Sequence, residues 1–191
     1  MSDNIRVGLI GYGYASKTFH APLIAGTPGM ALAAVSSSDA AKVHADWPSV
    51  PVVSEPKHLF NDPNIDLIVI PTPNDTHFPL AKAALEAGKH VVVDKPFTVT
   101  LSQARELDAL AKSLGRLLSV FHNRRWDSDF LGIKQIIEQG TLGKIKHLES
   151  HIDRFRPEVR VRWREQNVPG SGLWFDLGPH LIDQTLQLFG L

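Results

Sequence analysis

Six short apolar runs alternate with helix-forming segments over the first part of this 191-residue chain, and that alternation leaves few folds open. The runs are Ile5 to Ile10, Met30 to Ser36, Val50 to Val53, Asp66 to Ile70, His90 to Asp94 and Leu117 to Phe121. Asp66-Leu67-Ile68-Val69-Ile70 is continuously apolar after its first residue and bounded by turn residues, the pattern of a strand buried on both faces. Helices are expected between the runs. Ser16 to His20 opens one that Pro22 disturbs, Asp39 caps one reaching Ala45, and Pro56 to Phe60 forms a third. Asn74 or Asp75 is expected to cap Thr76 to Ala87, which Gly88 ends. Thr100 and Gln103 form a capping box for Leu101 to Leu114, closed by Gly115. Strands that alternate with helices pair in parallel with right-handed crossovers, so the fold class is α/β with a doubly wound sheet.

After Phe121 the pattern changes. Asp127 is expected to cap a helix from Ser128 to about Gln139, and Lys144 to Phe155 reads as one long strand. A polar loop from Arg156 to Gly172 and an amphipathic helix from Trp174 to Phe189 follow. The expected domains are 1–122 and 123–191. A lone strand has unpaired edges, so the second domain reads as an incomplete α+β domain.

Composition narrows the function classes. Acidic and basic residues balance at 20 each, which argues against a general nucleic-acid or membrane-surface binder. With no cysteine, disulfide and thiolate chemistry are excluded. Met1-Ser2-Asp3-Asn4 is polar and leads straight into a strand, unlike a signal peptide, and no run is long enough to span a bilayer. A cytoplasmic protein is the expectation.

Four stretches carry chemistry. Gly11-Tyr12-Gly13 follows the first strand and precedes a helix, the arrangement that brings a dinucleotide pyrophosphate to a helix N-terminus. Gly11 allows the sharp turn, Gly13 lets a phosphate approach the backbone, and Ser16 stands where a small packing residue is usual. A Gly-x-Gly turn is equally an ordinary tight turn. Pro71-Thr72-Pro73-Asn74-Asp75-Thr76-His77 follows the fourth strand and offers hydrogen bonds from Thr72, Asn74 and His77; its bland reading is turn plus helix cap. Asp94-Lys95-Pro96 follows the fifth strand. A lysine there is poorly solvated unless something binds it, and its ammonium can hold a substrate hydroxyl; the alternative is a rim lysine paired with Asp94. In the last helix Asp176 and His180 are four apart and share a face with Asp183, a carboxylate–imidazole arrangement suited to acid–base work or to a plain ion pair.

Two weaker signals remain. His147, Glu149 and His151 alternate on one strand face; a solvated face is expected there and no metal is assigned. Arg154, Arg156, Arg160, Arg162 and Arg164 give the long loop a basic character, open between a solvated loop and an anion-binding one.

Together these stretches resemble the Gfo/Idh/MocA family of nicotinamide-dependent sugar and polyol oxidoreductases. The resemblance rests on Gly11-Tyr12-Gly13 with Phe19-His20-Ala21-Pro22, on Thr72-Pro73-Asn74 with His77, on Asp94-Lys95-Pro96, and on Asp176 with His180. It implies a Rossmann-type sheet followed by a substrate domain. Gly11, Tyr12 and Gly13 would bind pyrophosphate, and Thr72, Pro73, Asn74 and His77 would line the ribose and nicotinamide side. Lys95 would be the active-site lysine, with Pro96 beside the cofactor, and Asp176 and His180 the substrate-facing pair, with His180 the proton carrier. Asp94 stands where the family usually has Glu. Ser37 aligns with the family's ribose-binding acid, and Lys42 is near, so NADP is expected over NAD. The implied substrate is a sugar, polyol or related hydroxy or carbonyl compound, and the full-length family form a homo-oligomer. Family members continue into a broad, mainly antiparallel sheet, so the resemblance implies a chain cut short at Leu191 that binds dinucleotide but turns over poorly. The alternative is a catalytically inactive dinucleotide-binding fragment or regulatory module.

Overall fold

In a computed structural model the described residues are 4–153, 155, 157–158 and 165–190. They fall into two compact units, Met1–Phe121 and His122–Leu191. The Arg-rich stretch expected to form a loop lies largely outside the described residues, including Arg154, Arg156, Arg160, Arg162 and Arg164.

The first unit is a six-stranded parallel sheet, β1 (Ile5–Ile10), β2 (Met30–Ser36), β3 (Val52–Val53), β4 (Leu67–Ile70), β5 (His90–Asp94) and β6 (Leu118–Phe121), in the order β3-β2-β1-β4-β5-β6. The chain order reverses between β1 and β4, and a doubly wound sheet opens its binding crevice at that point, beyond the strand C-termini. Helices α1 (Ala21–Gly26), α2 (Ala40–His44), α3 (Pro56–Phe60), α4 (His77–Glu86) and α5 (Leu101–Ser113) cover the faces. Side-chain alternation divides the core accordingly. Ile68, Ile70, Val91 and Val93 face Leu85 and Leu107 on one side, while Val7, Leu9, Val35 and Val69 face Ile24 and Val43 on the other. Each of these side chains is nearly fully buried, worth about 1.5–3 kcal/mol apiece in transfer terms.

Local signals set most helix ends. Asp39 caps α2 by accepting from the Lys42 N–H at 3.0 Å. Thr100 and Gln103 make the capping box of α5, and Gly88 and Gly115 take positive φ after α4 and α5. Three expectations need correction. Neither Asn74 nor Asp75 caps α4: Asn74–Thr76 instead forms a 3-10 turn that runs into the helix, and Thr76 is the N-cap residue, with no side-chain cap bond. Asp127 precedes α6 (Ser128–Glu138) without a cap bond, because its carboxylate takes Arg124 Nη1 at 2.8 Å. Residues 145–153, expected as strand, carry no helix or strand. An extended segment counts as a strand only when a ladder partner satisfies its backbone, and β-branched or aromatic content cannot supply one.

Ser16–His20 forms a π-turn running into α1, with the Ala21 N–H bonded to the Ser16 carbonyl. Pro22, at the start of α1, has no N–H to give the ladder, and the helix accommodates it with the wider turn.

In the second unit, α7 (Gly172–Phe189) runs through Pro179. Gly178 packs closely there: a Cβ on it would meet the Trp174 ring at 2.9 Å, and the exposed ring would have to shift. No described helix is long and apolar enough to cross a membrane.

Candidate functional site

All six strands are parallel, so their C-terminal ends share one edge, and the first unit's predicted site residues follow directly from those ends. Gly11, Tyr12 and Gly13 follow β1, Ser37 follows β2, Thr72 to His77 follow β4, and Lys95 and Pro96 follow β5. Hydrogen bonds stitch the loops together. The Gly11 N–H donates to the Ser36 carbonyl at 2.7 Å, and the Ser37 N–H to the Val53 carbonyl at 2.9 Å. The buried His77 ring lies between two loops, Nε2 at 2.8 Å from the Thr72 carbonyl and Nδ1 at 2.9 Å from the Pro96 carbonyl. Thr72 Oγ1 contacts Thr76 Oγ1 at 2.6 Å.

Gly11 has φ +79°, a left-handed conformation that disfavours any side chain. Gly13 is a different case. A Cβ built on it meets no protein atom within 4 Å, so nothing in the protein requires glycine there. The open space lies where the next helix begins, and the first N–H groups of a helix have no intrahelical acceptor. Free N–H groups at a helix start beside open space are the kind of donor set a phosphate takes in doubly wound sheets. Ser16, half a turn on, is buried and donates its hydroxyl to the Gly11 carbonyl at 2.9 Å, closing the turn from behind.

Several predicted residues hold the loops rather than face the crevice. Tyr12 is 5% exposed and packs in the core beside Val43 and Val35. Its hydroxyl donates to Asp46 Oδ2 at 3.0 Å, and Lys17 Nζ lies 2.8 Å from the same oxygen. Burial first, and Asp46 second, push the Tyr12 hydroxyl above the usual phenol range; Lys17, then Tyr12, hold the Asp46 carboxyl below the usual carboxylate range. His77 is enclosed with both ring nitrogens on backbone carbonyls, and Asn74 is buried, while Thr72 is half-buried and Pro73 exposed.

The end of β2 bears on the nucleotide. Ser37 Oγ accepts from the Asp39 N–H at 3.1 Å, and the Asp39 carboxylate is committed to the Lys42 N–H as the α2 cap. Ser37, half-buried, is the first polar residue after the strand, followed by the exposed Ser38, with Lys42 exposed one helical turn beyond Asp39.

Lys95 is half-buried, and the Lys95–Pro96 peptide is cis. Its neighbour Asp94 places Oδ1 2.7 Å from His20 Nε2, a contact the sequence reading missed because His20 and Asp94 are 74 positions apart and fall in no shared periodicity.

The second unit holds Asp176 and His180 on α7, the first half-buried and the second buried. Asp183, expected on the same face, is buried and gripped by Arg125: Nε at 2.7 Å from Oδ2 and Nη2 at 2.5 Å from Oδ1. That hydrogen-bonded carboxylate raises the Arg125 guanidinium above its usual value, against the effect of burial. His147 Nε2 contacts Glu149 Oε1 at 2.9 Å, all exposed, and no group of three His, Asp or Glu among the described residues could hold a metal ion.

This frame has known counterparts. Residues 5–122 match the model of the Gfo/Idh/MocA oxidoreductase family, NAD-binding Rossmann fold, and residues 130–191 match the Gfo/Idh/MocA C-terminal domain. The chain belongs to the Gfo/Idh/MocA oxidoreductase family. It is 82% identical over its whole length to the oxidoreductase YdgJ of Escherichia coli (strain K12), covering 55% of that protein. It is 43% identical over 189 residues, 99% of this chain and 53% of the other, to scyllo-inositol 2-dehydrogenase (NADP(+)) IolW of Bacillus subtilis (strain 168). The solved structure of the YPO2259 oxidoreductase of Yersinia pestis superposes with a TM-score of 0.94 at 73% identity, covering 100% of this chain and 54% of that one. The chain thus spans about half the length of the Gfo/Idh/MocA proteins it matches.

Proposed function

We propose that this chain supplies the dinucleotide site and the acid–base groups of an NADP-preferring oxidoreductase that interconverts CH–OH and carbonyl groups on a sugar or cyclic polyol. The observation that carries the reading is the placement of the Gly11-Tyr12-Gly13 turn and the half-buried Lys95 at strand ends on one edge of the parallel sheet, with helix N–H groups beginning after Gly13. The preference for NADP draws on Ser37, whose hydroxyl tolerates a 2′-phosphate where a carboxylate would repel it, and on the nearby Lys42. The substrate class draws on the likeness to IolW, a scyllo-inositol 2-dehydrogenase.

When bound, the nicotinamide ring supplies the hydride acceptor or donor. The chain's own residues do the rest. Gly11, Tyr12 and Gly13 hold the pyrophosphate, Gly13 by its missing side chain and Tyr12 by fixing the turn to the core. Thr72, Pro73 and Asn74 border the ribose and nicotinamide side, and His77 locks their loop to Pro96. Lys95 donates a hydrogen bond to the reacting oxygen and stabilises the charge that develops on it. His180 takes the hydroxyl proton during oxidation and returns it during reduction, with Asp176 orienting the substrate or the imidazole. This division of labour, cofactor in the first domain and substrate in the second, supports reading 1–122 and 123–191 as the two domains, and the full-length family form as a homo-oligomer.

The test is turnover of NADP+ against a panel of cyclic polyols and aldoses. Lys95→Ala and His180→Ala should each lower kcat by about 10²–10⁴. Full turnover in either variant would refute its assigned role. Saturable dinucleotide binding without turnover is the outcome expected of a chain spanning about half its relatives' length, and a binding module is favoured only if a form of the relatives' full length also lacks turnover on every substrate.

A further inference from the structure

His20 is a buried titratable side chain at the same sheet edge that the proposed reaction does not use. It ends the π-turn whose first residue, Ser16, donates to the Gly11 carbonyl. One turn of chain therefore touches the glycine turn at one end and Asp94 at the other, where His20 Nε2 lies 2.7 Å from Oδ1. The His20 ring also packs on Phe121 at the end of β6, 4.4 Å between centroids. Asp94 is the last residue of β5, and Lys95 follows it. On the far side of Lys95, the Pro96 carbonyl is held by His77 at 2.9 Å. Lys95 thus stands between two neighbours, each anchored by a buried histidine.

We propose that His20 is a positioning residue for Lys95, acting through Asp94. The claim rests on the reading of Lys95 as the group that meets the reacting oxygen. A side chain on a strand-end turn has several rotatable bonds, and its reach is defined only if the backbone on both sides is fixed. His77 fixes one side. His20 fixes the other with a hydrogen bond to a carboxylate, about twice as strong as a neutral one, and it is seated by the aromatic contact with Phe121.

The test is competitive acetylation of the full chain, reading the rate at Lys95 by peptide mass spectrometry against the exposed Lys112 as internal reference. His20→Phe keeps the ring and removes the hydrogen bond; Lys95 should acetylate at least about tenfold faster, the population change that loss of one bond to a carboxylate produces. His20→Gln, whose amide N–H reaches a similar point, should restore the rate to within about twofold. Asp94→Ala, which removes the acceptor, should act in the same direction as His20→Phe, and the double variant should go no further than either alone; if His20→Phe does not fold, Asp94→Ala decides. A Lys95 rate unchanged in both single variants would overturn the proposal. So would acceleration accompanied by faster amide exchange in β4 and no recovery with Gln, which marks general loosening. Either result leaves the catalytic role of Lys95 to its own turnover test, and retained turnover in Lys95→Ala would remove that role without altering the acetylation result.

Discussion

Tyr12 gives its hydroxyl to Asp46 across 3.0 Å, and that bond ties the middle of the glycine turn to the turn after α2. Tyr12→Phe keeps the core packing and loses the bond, and should cost about 1 kcal/mol in urea unfolding. The same contact predicts a pH dependence. Lys17 and Tyr12 hold Asp46 below the usual carboxylate range, so its contribution is present above its unfolded value and fades as pH falls through the lower, folded one. Urea midpoints of the native chain should therefore fall more steeply below about pH 4 than those of Asp46→Asn. Parallel acid profiles would contradict this.

The two glycines of the turn should separate stability from binding. Gly13→Ala meets open space, so its melting temperature should stay within about 1 °C while NADPH affinity drops about tenfold. Gly11→Ala places a side chain at φ +79° and should cost about 1–2 kcal/mol of stability, although its Cβ would find only an ordinary 3.7 Å contact with Thr72.

At the end of β2, Ser37→Asp should reverse the dinucleotide preference, lowering NADPH affinity about tenfold and raising NADH affinity, because a carboxylate accepts from a ribose hydroxyl and repels a phosphate. Fluorescence titration of both dinucleotides reads the switch.

In the second unit, the Arg125–Asp183 fork joins the 3-10 turn Asn123–Trp126 to α7. Arg125→Ala leaves Asp183 buried without its partner. Because Arg125 is partly exposed, the expected cost is about 2 kcal/mol, less than for a fully buried pair. Arg125→Lys should recover little, since an ammonium cannot make the two-pronged contact. Amide exchange along α7 is the readout.

The sheet was legible because each strand announces itself locally. Leu67–Ile70 and Val91–Val93 are continuous apolar runs, and the capping box at Thr100 marks its helix with residues three apart. The placement of the candidate residues was legible for a similar reason: parallel strands put Gly11, Ser37, Thr72 and Lys95 on one edge once their order is known. What stayed hidden depends on distant partners. Tyr12 sits between two glycines and looks like part of a binding turn, yet its ring belongs to the core, because Val43 and Asp46 arrive from α2 and the turn after it. Asp94 looked available to Lys95 until His20 arrived from the other side of the sheet order. Residues 145–153 carry no helix or strand, and whether an extended segment joins a ladder depends on a pairing partner that no local pattern names.

The central claim is that the strand-end loops of the first unit form an NADP-preferring dinucleotide site. Titration of the chain with NADPH and with NADH, followed by isothermal calorimetry, tests it directly. One saturable site per chain with a Kd in the range of about 1–100 μM, tighter for NADPH, is the predicted result; no saturable heat with either dinucleotide up to about 1 mM would contradict it.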